Sequence, residues 1–159
     1  MTESTGRRGP PPRDTLPPGL WSTTVRIRFS HCDPAGIVYF ARYFDILNGF
    51  VEDWFSEALG LDYAEFVGPR RVGLGYAGLQ SDFVSPGRMG DRLTMFIAVA
   101  RIGGASASLV LHGYRAEEPI LTIRPTIVTT SLVAHKAIPL PDDLRAALQR
   151  YAADGGGEP

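Results

Sequence analysis

The segment from Phe40 to Leu59 constrains this chain more than any other stretch. Its large apolar residues are Phe40, Tyr43, Phe44, Leu47, Phe50, Val51, Trp54, Phe55, Ala58 and Leu59. Steps of three, one and three hold them on one face at helical period. Asp45, Asn48, Glu52, Asp53, Ser56 and Glu57 fall between them and face polar surroundings. No proline interrupts the run, and Gly60 follows as a helix stop. Gly49 is the one weak position, costing about 1 kcal/mol against alanine, and its small size leaves room for another backbone. The apolar face carries six aromatics. At about 1.5–3 kcal/mol per large buried side chain, the gross transfer energy is on the order of 10 kcal/mol, an upper bound. Such a load predicts a core helix with a sheet wrapped around it.

The remaining chain supplies that sheet. Val25, Ile27 and Phe29 alternate with Thr24, Arg26 and Arg28, which predicts a half-buried first strand over residues 21–29. Residues 30–39 form a loop. After the helix, residues 62–66 fit one short helical turn, and Gly68-Pro69 breaks the chain. Four strand-like runs follow, over residues 71–84, 92–102, 105–115 and 120–134. The Gly103-Gly104 pair predicts a hairpin between the second and third of these. Pro125 predicts a bulge or an edge position in the last. Asp142-Asp143, followed by Leu144, Ala147, Leu148 and Tyr151, reads as a short final helix. One long helix and a run of hairpin-joined strands imply an α+β fold with an antiparallel sheet of five strands. A single helix covers one face of the sheet, so the other face or an edge is expected to meet a second subunit.

One domain is expected, over residues 21–152. Residues 1–20 hold Pro10, Pro11, Pro12, Pro17 and Pro18 with little apolar content, and are expected to be disordered. Residues 153–159, rich in glycine, are expected to fray. A net charge of −1 gives no electrostatic case for nucleic acid or an anionic membrane. The longest apolar run, residues 95–100, is far short of a membrane span. The single cysteine, Cys32, excludes an internal disulfide and suits a reducing compartment. With no apolar secretion signal after the N-terminus, the cytoplasm is the expected location.

Chemistry concentrates just ahead of the long helix. Asp33 is followed by Pro34, which lacks an N–H and biases Asp33 away from helical geometry. Ala35-Gly36 makes a small-residue path that a ligand can approach closely. The first amides of the helix, near Phe40, have no intrahelical partners and carry partial positive charge. A carboxylate facing such a helix start suits acyl transfer: the amides would hold a developing oxyanion, and the carboxylate would attack a carbonyl or activate water. The bland alternative is that Asp33 caps a turn and Gly36 permits one. No stronger constellation competes. There is no Gly-x-Ser-x-Gly elbow, no phosphate loop and no dinucleotide glycine fingerprint. His31, Cys32 and Asp33 are adjacent, a poor chelating arrangement, so no metal site is expected.

The run Asp33-Pro34-Ala35-Gly36-Ile37-Val38-Tyr39-Phe40, with Arg42-Tyr43-Phe44 and the aromatic helix after it, closely resembles the 4-hydroxybenzoyl-CoA thioesterase family of the hotdog fold. Phe83-Val84-Ser85-Pro86, Gly90-Asp91 and Ile138-Pro139-Leu140-Pro141 fit the same pattern, so the resemblance spans about residues 21–150. It implies a sheet wrapped around the helix, homodimers paired into homotetramers, and hydrolysis of an acyl-CoA thioester with an aromatic acyl group. No cofactor is implied beyond the coenzyme A of the substrate. Carried over, Asp33 is the catalytic carboxylate, as nucleophile or general base, and the Phe40 amide polarises the carbonyl. Gly36 and Ile37 line the approach, and Arg88, Arg101 and Ser106 are candidates for the CoA phosphates and pantetheine arm. The sequence departs from the family in Gly103-Gly104-Ala105, which lacks a basic residue some relatives carry there. A hotdog hydratase or dehydratase would need a histidine soon after the aspartate, and none occurs between Asp33 and Leu111. A non-catalytic hotdog protein that binds acyl-CoA or a protein partner is the other alternative, and the retained Asp33 argues against it.

Overall fold

Strand alternation builds the molecule, and a computed structural model describes it over residues 9–159. The elements run β1 (Trp21–Arg26), α1 (Arg42–Glu57), α2 (Tyr63–Val67), β2 (Val72–Phe83), β3 (Arg92–Ile102), β4 (Ser106–Arg115), β5 (Glu118–Ser131), β6 (Lys136–Ala137) and α3 (Asp142–Tyr151). Every pairing is antiparallel, in the order β1-β3-β4-β5-β2, with the short β6 added to β5. The five expected strands are all present. β6 is an extra pair of residues that the sequence pattern did not suggest. Leu93, Met95, Ile97 and Val99 on β3, Leu109 and Leu111 on β4, and Leu121 and Ile123 on β5 line the inner face. Against them α1 buries Tyr43, Ile46, Leu47, Phe50, Val51, Trp54 and Phe55. The curled sheet around one helix is the hotdog arrangement. Among the described residues no helix is long and apolar enough to cross a membrane.

Regular α1 begins at Arg42, two residues after the expected start. Its entry is a tighter turn in which Arg42, Tyr43 and Phe44 donate to the carbonyls of Tyr39, Phe40 and Ala41. Phe40 therefore precedes the packed face and is 56% exposed, and Phe44 is half-buried, so four of the six aromatics are fully buried. Ile46 joins them, a residue outside the periodic set read from the sequence. Gly49 is exposed, and a Cβ there would meet nothing within 4 Å, so no close backbone approach is made among the described residues.

Pro125 lies in β5, an interior strand. The β4–β5 ladder lacks partners between Ser108↔Thr126 and Leu111↔Ile123, and β2 carries a bulge between Tyr76 and Gly78 opposite this stretch. The missing N–H is accommodated by a gap on one side and the neighbour's bulge on the other.

The outer face of the sheet accounts for the two ends of the chain. Ala98, Val110 and Tyr114 point away from α1 and are nonetheless buried. Residues 9–20 lie over them instead of being disordered. The Tyr114 hydroxyl donates to the Pro11 carbonyl at 2.8 Å, and Arg13 donates to the Ala116 carbonyl at 2.6 Å while sitting over the Phe96 ring. The expected disorder of residues 1–8 falls outside the described residues. The C-terminal end is likewise tied down: Glu158 N–H donates to Val99 O, and its carboxylate pairs with Arg124 at 3.2 Å. The two ends cross where a Cβ on Gly19 would lie 2.7 Å from Gly155 Cα. Composition alone made these ends look unable to offset their ordering entropy. The apolar patch on the back of the sheet supplies the missing surface.

Candidate active site

The loop between β1 and α1 is a closed miniature hairpin. Cys32 and Val38 form an antiparallel bridge, and Asp33 N–H donates to Ile37 O at 3.0 Å. Gly36 N–H donates back to Asp33 O at 2.9 Å, closing a turn over Asp33-Pro34-Ala35-Gly36. Gly36 has φ of 76°, a conformation that costs an L-residue about 1–2 kcal/mol. Asp33 Oδ1 accepts the Ala35 N–H at 2.8 Å, an Asx turn that fixes the carboxylate's direction. The base of the hairpin is closed by Tyr39 N–H donating to His31 O at 3.0 Å. That bond carries the chain from the hairpin directly into the start of α1. The N–H groups of Phe40 and Ala41 donate to no carbonyl or side chain among the described residues, leaving two bare amides at the positive end of a 16-residue helix.

The connection between β2 and β3 buttresses this loop. Val38 N–H donates to Gly87 O, Met89 N–H to Gly36 O, and Ile37 bridges Arg88. Asp91 Oδ2 accepts both the Arg88 N–H at 2.8 Å and Arg115 Nη1 at 2.6 Å, and Arg115 also holds Glu118. Gly87 N–H donates to the buried Tyr43 hydroxyl at 3.2 Å, joining the connection to the first turn of α1. Burial pushes the Tyr43 pKa up, so the hydroxyl stays protonated. Its ring stacks on Phe83 at 5.5 Å. Ile37, Phe40, Tyr43, Phe83, Val84 and Pro86 line a groove of about 370 Å³ beside the helix start.

Neighbouring groups do not compete with Asp33. Burial, then the charges of Asp33 and Asp91, pushes the Cys32 thiol up, which disfavours the thiolate a nucleophile needs. His31 is pushed down by burial and by Arg28 and Arg42. Its Nδ1 accepts the Arg28 N–H at 3.0 Å, a structural role for the neutral ring. His112 lies on the far face of the sheet, paired with the Thr122 hydroxyl at 2.9 Å.

Asp33, Gly36, Ile37 and Arg88 therefore come together at the hairpin, and Ile37 shares the groove with Phe40. Arg101 and Ser106 do not join them. They line a separate hollow of about 350 Å³ with Ser108 and Thr126. Met95 shares a sheet row with Phe83 through Gly113 and Leu121, and Arg101 is six positions further along β3. At about 3.3 Å per residue that places Arg101 roughly 20 Å away along the strands. Sequence reasoning missed the Tyr43–Gly87 link and the Asp91–Arg115 clamp. Gly90-Asp91 signalled a turn, but nothing in it announced a partner 24 residues away.

Residues 27–148 match the family model of the thioesterase-like superfamily. The chain belongs to this superfamily. Solved structures agree on the fold. A 1,4-dihydroxy-2-naphthoyl-CoA thioesterase from Synechocystis superposes with a TM-score of 0.74 at 20% identity, over 82% of this chain and 96% of that one. A thioesterase-superfamily protein from Jannaschia gives 0.76 at 25% identity, over 89% and 96%. A Staphylococcus aureus protein solved in complex with CoA gives 0.78 at 14% identity, over 91% and 89%. No curated protein matches the chain. Within the matched span of this thioesterase-like protein lie the whole Asp33 hairpin, α1 and strands β2 to β6; β1 precedes it.

Proposed function

We propose that this protein hydrolyses acyl-CoA thioesters to the free acid and CoA, with Asp33 as the catalytic carboxylate. The observation that supports the reading is the closed hairpin, which fixes the Asp33 carboxylate in the loop that leads directly into the unpartnered amides of Phe40 and Ala41. In the nucleophilic route, an Asp33 oxygen attacks the thioester carbon. The carbonyl oxygen becomes an oxyanion held by the Phe40 N–H. Collapse expels CoA thiolate and leaves a mixed anhydride, which water cleaves to the acid and free Asp33. In the general-base route, Asp33 takes a proton from a water that attacks the same carbon.

The groove beside Phe40, Tyr43 and Phe83 favours an aromatic acyl group, such as 4-hydroxybenzoyl, stacked among these rings. Gly36 and Ile37 flank its approach, and Arg88 stands next to Ile37, within reach of the substrate's anionic half. Arg101 and Ser106 stay outside this site within one chain. A second copy pairing along β2 to form a dimer, with dimers joining as tetramers, agrees with Tyr76 and Leu79 being 37% and 38% exposed on that free strand.

The test is thiol release from a panel of benzoyl, 4-hydroxybenzoyl and aliphatic acyl-CoAs. Turnover with preference for an aromatic acyl group is expected. No turnover of any acyl-CoA would remove the proposal. Single-turnover hydrolysis in heavy-oxygen water separates the routes, because only side-chain attack places protein oxygen in the product.

A further inference from the structure

Four arginines gather at one end of the β1 edge, and no part of the thioester chemistry above uses three of them. Arg26, Arg28, Arg88 and Arg92 are all exposed. Among the described residues none pairs with a carboxylate; the nearby acids, Asp91 and Glu118, are held by Arg115. Arg26 and Arg92 are direct cross-strand partners, and like charges so placed repel. A single charge is enough to protect an edge strand from stray pairing. Four uncompensated cations, in a chain whose net charge is −1, call for an external anion.

The shape of the region suits one. Arg26 and Arg28 flank a cleft of about 380 Å³ completed by Ile27, Phe29, Met89 and Gly90, within the size range of small-ligand sites. Phe29 is 81% exposed and Met89 55% exposed at its rim. An exposed flat ring is a stacking platform for a base, and guanidinium forks match phosphate oxygens. The floor is rigid: Ile27 N–H donates to Asp91 O at 2.8 Å, and Gly90 N–H to Ile27 O at 2.9 Å. The cleft is also fastened to the candidate active site. Arg28 N–H donates to His31 Nδ1, Arg28 O accepts the His31 N–H, and Met89 N–H donates to Gly36 O.

We propose that this cleft binds the phosphorylated adenosine end of the thioester's CoA, with Arg26, Arg28 and Arg92 on the phosphates and Phe29 against the base. The assignment rests on the acyl-CoA reading of the Asp33 site, and it moves phosphate recognition away from Arg101 and Ser106. A free phosphorylated nucleotide shares the chemistry, and the arms of the test separate the two sources.

Adenosine 3′,5′-bisphosphate is titrated calorimetrically into the full chain and its Arg26→Gln/Arg28→Gln variant, with Arg150→Gln as a charge control and thermal melts to check folding. The same proteins are assayed on benzoyl-CoA and on benzoyl-pantetheine, which lacks the nucleotide. The bisphosphate is expected to bind, to compete with benzoyl-CoA, and to lose at least tenfold in affinity in the double variant. kcat/KM for benzoyl-CoA should fall about tenfold further than for benzoyl-pantetheine, through KM. Equal losses on both substrates, or bisphosphate binding untouched by the double variant, would overturn the proposal. Binding without competition would overturn it in favour of a free nucleotide. If no thioester is turned over, the acyl-CoA reading fails, and the calorimetric arm still decides whether the cleft takes a phosphorylated nucleotide.

Discussion

Around Phe50, Trp54 and Phe55 the long helix is sealed inside the sheet, with these rings 1%, 0% and 0% exposed, whereas Tyr39 and Phe40 at its other end are 49% and 56% exposed. Both ends are rich in aromatics in the sequence. What differs is the partner. The C-terminal half meets the inner faces of β3, β4 and β5. The N-terminal end meets the Asp33 hairpin and the connection from β2 to β3, whose backbone bonds are satisfied among themselves. The helix is thus anchored by one half and left open at the other, where bare amides and apolar rings follow the Asp33 hairpin. On the proposed function, stability and chemistry sit on one element, about four turns apart.

That contrast can be broken by substitution. Trp54→Ala should cost about 3–5 kcal/mol in urea melts, while Phe40→Ala should cost less than about 1 kcal/mol and change kcat only a few-fold, since its amide stays in place and the lost ring contact to the acyl group shows in KM. Equal destabilisation at the two positions would erase the distinction between the ends. A second contrast lies across the sheet. Burial pushes His112, on the outer face, down to about 4 from 6.5. Between those values the unfolded chain binds a proton that the folded chain does not. Stability present above pH 6.5 should therefore fall as pH drops through this window, by on the order of 2 kcal/mol, and melts of His112→Gln against pH should lose that part of the slope. At the open end, Gly36→Ala should cost about 1–2 kcal/mol through its positive φ and lower kcat by tilting the Asp33 turn. The smallest effect is at Gly49, where the exposed helical position has space for a methyl group: Gly49→Ala should gain about 1 kcal/mol in the same melts.

Much of the fold was legible because periodicity and punctuation agreed. Helical spacing marked α1, alternation marked β1 to β5, and Gly103-Gly104 marked the hairpin between β3 and β4. The Asp33 turn was legible for the same reason, since Pro34 and Gly36 act on the backbone locally. Features that depend on distant partners were not. Whether Phe40 is buried is decided by the Tyr39–His31 bond, and whether residues 9–20 are ordered is decided by Tyr114 and Phe96, about a hundred residues away. Arg26 and Arg28 read as the solvated side of a strand. Only the register that sets Arg26 against Arg92 makes them a cluster.

The proposed role of the Asp33 carboxylate, held by its own turn ahead of α1, is to perform the chemistry. It is tested most directly by the single-turnover rate of Asp33→Asn on benzoyl-CoA, with melting compared in parallel. A loss of about 10²–10⁴-fold is expected, with melting little changed. A rate within threefold of the parent protein would contradict it.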